Sequence, residues 1–159
     1  MEKSYQVIEV NEEKHYQQLA KLFREYEMDL GFELSFQDFS NELENLHKMY
    51  SPPNGKAFLL KDADKNHFGC VAVRKLENEI GEIKRMYLNP KCRGKGYGKI
   101  LMHIALKATK NLGYKKVRLD TLDTMKSAIA IYKEAGFYEI SQYRENPFNN
   151  AVFMEKKLG

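Results

Sequence analysis

Apolar and polar positions along the 159-residue chain change period several times, and each change predicts an element. "YQVIEV" (5–10) alternates as a short strand does. From His15 onward, Leu19, Leu22, Phe23, Tyr26 and Leu30 return at helical spacing, and Gly31 offers a stop. Ser35 with Asp38 resembles a capping box for a second helix, whose apolar stripe is Phe36, Phe39, Leu43, Leu46 and Tyr50. "SPPNG" (51–55) cannot continue that helix. Strand-like runs follow near 56–61, 67–76 and 81–88, and the turn chemistry of "DADKN" and "ENEIG" between them favours antiparallel hairpins. A glycine-rich stretch then opens a helix with Ile100, Leu101, Ile104, Ala105, Ala108 and Leu112 on its buried face, ending at Gly113. "KKVRLDT" (115–121) reads as a strand, about 125–135 as a helix closed by Gly136, and "FYEISQY" and "AVFMEKKL" as two final strands. The order β-α-α-β-β-β-α-β-α-β-β has no repeat or linker. It predicts a single α/β domain over residues 1–159 with a mixed sheet.

Composition narrows the chemistry. Hydrophobic content of 43% and charged content of 30% suit a soluble globular domain. No run approaches the roughly 18 apolar residues that would span a bilayer. The first ten residues lack the apolar stretch of a signal peptide, so a reducing cytoplasm is the expected compartment. Cys70 and Cys92 form no CxxC, and His15, His47, His67 and His103 never fall at metal-ligand spacing, so no metal is expected. The net charge of +4 suits an anionic ligand but is too mild to make nucleic-acid binding the first reading.

The candidate for that anion is "PKCRGKGYGKIL" (90–101), where Gly94, Gly96 and Gly98 alternate with cations between a strand and a helix. A Walker A loop needs glycine at 93 and Ser/Thr at 100; arginine and isoleucine stand there. The dinucleotide fingerprint fails because residue 99 is lysine. What remains is Arg93-x-x-Gly96-x-Gly98 leading into a helix, whose first-turn amides and positive dipole end favour a pyrophosphate.

This pattern resembles the acyl-CoA-binding motif of the GNAT superfamily of N-acetyltransferases. The flanking "EIKRMYLNP" and "IYKEAGF" also have the form found there, as does the order of elements. "LGFELSFQDFSNEL" and "YRENPFNNAVFMEKKL" are similar to a small bacterial-type branch of that superfamily. The resemblance implies a mixed, mostly antiparallel sheet of about seven strands, splayed at the fourth and flanked by about four helices. It also implies direct transfer of an acetyl group from acetyl-CoA to a primary amine, without a covalent enzyme intermediate and without metal.

The resemblance assigns roles as well. The backbone of Met86, Tyr87 and Leu88 meets the pantetheine arm, and the Leu88 amide steadies the oxyanion. The mixed alternation over 82–88 already suggests a bulge there. Arg93, Gly94, Lys95, Gly96, Tyr97 and Gly98 hold the pyrophosphate, with Lys91, Lys95 or Lys99 near the 3′-phosphate. Tyr132, in "IYKEAGF", is the general acid that protonates the leaving thiolate. Glu82, six residues before Leu88, is the general base, its pKa open to being raised beside apolar surface; Asp120 is the rival. Many members carry asparagine seven residues before the tyrosine, where this chain has Met125, and Ser127 is a partial substitute. Tyr26, Phe32, Phe36, Arg85, Tyr143 and Asn146 are candidates for the acceptor cleft. Arg85 would suit an acceptor carboxylate. The acceptor is a small-molecule or peptide amine, the assembly a monomer or homodimer, and nucleic acid and membrane are not expected partners. The rival function is a non-catalytic acyl-CoA-binding or sensing module.

Overall fold

The computed structural model describes residues 4–30 and 39–159. Along the chain run β1 (Tyr5–Glu9), α1 (Glu13–Leu30), α2 (Phe39–Glu44), α3 (Leu46–Met49), β2 (Lys56–Asp62), β3 (His67–Glu77) and β4 (Ile80–Leu88). A 3-10 turn (Pro90–Cys92) leads to α4 (Tyr97–Asn111), β5 (Lys116–Leu122), α5 (Lys126–Glu134), β6 (Tyr138–Ile140) and β7 (Ala151–Lys157). The seven strands form one sheet in the order β1-β2-β3-β4-β5-β7-β6. Every neighbouring pair is antiparallel except β4 and β5, which run parallel.

Strand alternation divides the core into two layers. Val71, Val73 and Ile83 face α4 and α5 with Val117, Leu119 and Met154. Cys70 and Ala72, one residue out of phase, face α1, α2 and α3, where Leu19, Leu22, Phe23, Phe39 and Leu46 are buried. Each layer removes apolar surface from water, which holds the helices to the sheet.

Two departures from the sequence reading have local causes. The expected second helix is divided at Asn45, whose side-chain amide donates to the carbonyl of Asn41 (2.8 Å) and competes with the helical ladder. Its expected start, with Gly31, Phe32, Ser35, Phe36 and Asp38, lies outside the described residues. The strand expected over 137–143 is only Tyr138–Ile140. The chain then leaves the sheet because Tyr143 and Arg144 are drawn to Glu82 on β4.

The expected bulge is present. Between the pairs Cys70–Tyr87 and Ala72–Lys84, two residues of β4 oppose one of β3, and Arg85 takes φ 56°. Beside it the sheet opens. β4 pairs with β5 only from Ile80 to Glu82, and β5 beyond Arg118 pairs with β7 alone. Among the described residues, Met86 to Leu88 therefore have no strand on their β5 side.

Candidate active site

A cleft of about 350 Å³ lies at that opening. Met86, Tyr87 and Leu88 form one wall, the first turns of α4 and α5 (Gly98, Ser127, Ala128) another, and Tyr26 and Asp29 of α1 the rim. α4 starts at Gly96, the N-cap, with φ 89° and no side-chain cap. Ile100 is the residue whose amide first bonds back, to the Gly96 carbonyl, so the first-turn amides before it stand outside the helical ladder. Gly94 also has a positive φ of 78°, and only glycine takes both positions without strain. Gly98 serves packing instead: a Cβ there would lie 2.7 Å from the Ile131 Cδ1, so α4 and α5 approach closely because it is glycine.

Arg93 is a brace. Its Nε donates to the Leu88 carbonyl (3.1 Å) and its Nη2 to the Asp29 carboxylate (2.7 Å), over the face of Tyr87. Tyr97 turns its ring toward Phe68 and Tyr5 in the core. Lys99 pairs with Glu134 (3.1 Å), while Lys91 and Lys95 are exposed. Of the residues expected at the cofactor, Met86, Tyr87, Leu88, Arg93, Gly98 and Ser127 line the cleft. Gly94, Lys95, Gly96, Tyr97 and Lys99 surround its α4 end without lining it. Met125 lines it too, and its sulfur accepts a hydrogen bond from the Thr121 hydroxyl (3.4 Å). Asp29 and Thr124 also line it and were missed by the sequence reading, since no local motif marks either.

Past the bulge, on the α1 face of the sheet, lies a buried polar cluster. Glu82 is wholly buried. Its Oε1 accepts from Arg74 Nε and Nη2 and from Arg144 Nη2, all at 2.9 Å, and its Oε2 from the Tyr143 hydroxyl at 2.7 Å. Burial alone would raise its pKa. The charges of Lys84, Arg144 and Arg74 and the bond from Tyr143 outweigh that and hold it below the ordinary value. The expectation of a raised pKa at Glu82 is thus corrected: its neighbours are cations, not apolar surface.

Arg85 is corrected as well. It is spent on Glu42, at 2.6 and 3.1 Å, and its guanidinium lies against the rings of Tyr26 and Phe39. Tyr50 donates to the same carboxylate at 2.7 Å. Asn146 uses its side chain locally, accepting from the amide of Phe148.

Asp120, on β5, differs from Glu82: its Oδ2 is buried and has no hydrogen-bond partner among the described residues. Its charge contributes, after burial, to the raised pKa values of Tyr26, Tyr132 and Tyr143. Tyr132 is 7% exposed on α5, and burial, with the charges of its neighbours, pushes its pKa above the ordinary phenol value. Lys84 is pulled down to about 8, first by burial and then by the charge of Arg85.

Residues 16–137 match the family model described as "Acetyltransferase (GNAT) family". The chain belongs to the GNAT acetyltransferase family.

An uncharacterized N-acetyltransferase of Schizosaccharomyces pombe is 36% identical over 138 residues, 86% of this chain and 85% of that one. The fold matches that of a GNAT acetyltransferase from Staphylococcus aureus, with a TM-score of 0.81 and 21% identity over 98% of this chain and 99% of that one. It also matches a spermidine N-acetyltransferase from Vibrio cholerae solved with CoA and spermine, with a TM-score of 0.70 and 19% identity over 98% and 96%. The seven-stranded mixed sheet, with its one parallel pair and five α-helices among the described residues, is the GNAT α/β fold.

GNAT enzymes take their acetyl group from acetyl-CoA, and the residues of this GNAT acetyltransferase fit that cosubstrate. A mostly apolar cleft leads from an open strand edge to a glycine-capped helix start with free amides. No cluster of three or more His, Cys, Asp or Glu suited to a metal exists among the described residues. Nor is any helix among them long and apolar enough to cross a membrane.

Proposed function

We propose that this enzyme moves the acetyl group of acetyl-CoA to a primary amine by direct attack, with Asp120 as general base and Tyr132 as general acid. The opening of the sheet beside Leu88, with α4 starting at Gly96, supports the cosubstrate site. The backbone of Met86–Leu88 lines the pantetheine arm. The amide of Leu88 steadies the developing oxyanion, and the amides at the start of α4 receive the pyrophosphate.

The buried Oδ2 of Asp120, without a partner among the described residues, is the observation that supports Asp120 over Glu82 as the base. A base needs an oxygen able to accept the ammonium proton. Glu82 has given both of its oxygens to Arg74, Arg144 and Tyr143. It acts as a positioning residue that ties the loop 141–150 to β4. Tyr132 is a phenol that carries its proton at neutral pH, and burial raises its pKa further, so it has a proton to give the departing thiolate.

The test is release of free thiol from acetyl-CoA with a panel of amines, the acetylated product identified by mass. Asp120→Asn is expected to lower kcat/KM by roughly a hundredfold to ten-thousandfold while acetyl-CoA still binds. Full activity of Asp120→Asn on the best acceptor would remove it from the mechanism.

A further inference from the structure

Three residues that line the cleft, from three parts of the chain, are joined by hydrogen bonds: Asp29 in the last turn of α1, Arg93 after the 3-10 turn, and Leu88 at the end of β4. Arg93 Nη2 donates to the Asp29 carboxylate at 2.7 Å, and Arg93 Nε to the Leu88 carbonyl at 3.1 Å. The guanidinium lies over the ring of Tyr87, 5.8 Å from its centroid. The backbone of Arg93 is fixed as well. Its amide bonds to the Pro90 carbonyl, and the Asn89 side chain caps the turn that precedes it. Asp29 gains nothing from its own helix, because a carboxylate in the last turn meets the negative end of the dipole and that turn of α1 holds no basic residue. Arg93 answers the charge from outside the helix.

Strand geometry shows what this bracket does at Leu88. The amide of Asn89 crosses to the Phe68 carbonyl on β3. In an antiparallel pair the bonded residues alternate, so Leu88, opposite Gly69, turns its N–H and C=O to the open edge. Arg93 takes the carbonyl, and the amide is the group left to face the cleft. Resting on the reading that this amide steadies the oxyanion, we propose that Asp29 is a positioning residue for acetyl transfer, acting through Arg93. Asp29 sets the guanidinium against the Leu88 carbonyl, and that bond fixes the end of β4 and the line of the Leu88 N–H. A donor held in place before reaction need not be turned as charge develops. The same bond engages a carbonyl oxygen that would otherwise repel the oxyanion, and brings a positive charge beside it.

The test is a double-mutant cycle read by single-turnover transfer from acetyl-CoA to the best acceptor of the amine panel, with acetyl-CoA affinity measured by titration. Asp29→Ala is expected to slow the transfer step by roughly three- to tenfold while the acetyl-CoA dissociation constant stays within about twofold. Asp29→Glu should recover part of the rate, because it restores the carboxylate. With Arg93→Met already in place, Asp29→Ala should slow transfer no further, since its route to Leu88 is gone. Loss of folded protein lowers the amplitude of a single turnover and not its rate constant, so a merely structural effect would not give this pattern. An unchanged rate in Asp29→Ala, a loss confined to acetyl-CoA affinity, or effects that add in the double variant would overturn the proposal while leaving acetyl transfer intact. If the wild type acetylates no amine in the panel, the reading beneath the proposal falls and the proposal falls with it.

Discussion

Tyr132 stands in the first buried layer of α5, in tilted contact with Phe137, and its sequence position alone suits a packing residue as well as an acid. Burial raises its pKa and leaves it protonated, and its place in "IYKEAGF" is what favours the acid. Tyr132→Phe should lower kcat by roughly a hundredfold or more with the dissociation constant of acetyl-CoA little changed, read by single-turnover kinetics and ligand titration. An unaltered kcat would return Tyr132 to the core. Glu82 is the opposite case. Its position in the motif was legible, but its environment was not, because Tyr143 and Arg144 lie 61 and 62 residues away in sequence. No local pattern announces that an exposed-looking tail residue will claim a strand carboxylate.

At the scale of elements the sequence carried most of the information. The helical stripes of α1 and α4, the stops at Gly113 and Gly136 and the bulge in β4 all follow from periodicity or its local failure. Gly136 closes α5 in the expected way: its amide bonds to Lys133, and that of Phe137 to the carbonyl of Tyr132. The division of the second helix escaped because the apolar stripe runs on through Leu43 and Leu46, while Asn45 between them interrupts the helix through its own side chain. Gly98 shows how a motif residue acts through packing. Gly98→Val should push α5 away from α4, costing about 1–3 kcal/mol in urea unfolding and weakening acetyl-CoA binding, because the added Cβ meets Ile131. Unchanged stability and affinity would mean that Ile131 simply turns aside.

For the whole molecule, the Glu42–Arg85 pair joins α2 to the bulged strand through the second core layer, with both side chains 3% exposed. Removing one partner leaves a buried charge alone, and Glu42→Ala should cost about 3–5 kcal/mol in equilibrium unfolding. Burial would raise the pKa of Glu42, but the hydrogen bond and charge of Arg85, with Lys84 and Tyr50, bring it below the ordinary 4.5. Glu82 shifts in the same direction. Folding therefore favours both ionised forms. Their contribution is complete above pH 4.5 and is lost as pH falls from there through the lower folded values. Urea midpoints should drop across that acid window, and Glu42→Gln should flatten the drop while being less stable at neutral pH. A Glu42→Gln curve parallel to that of the wild type would contradict the pairing.

The choice between the two carboxylates is tested most directly by the pH dependence of kcat/KM for wild type, Asp120→Asn and Glu82→Gln on one acceptor. With Asp120 as base, wild type and Glu82→Gln share an acidic limb, and the chief loss in Glu82→Gln is a raised acceptor KM. Asp120→Asn loses that limb, and its residual rate climbs with pH toward the acceptor's own amine pKa, because only amine already free of its proton can attack. An acidic limb retained in Asp120→Asn and abolished in Glu82→Gln would contradict the account.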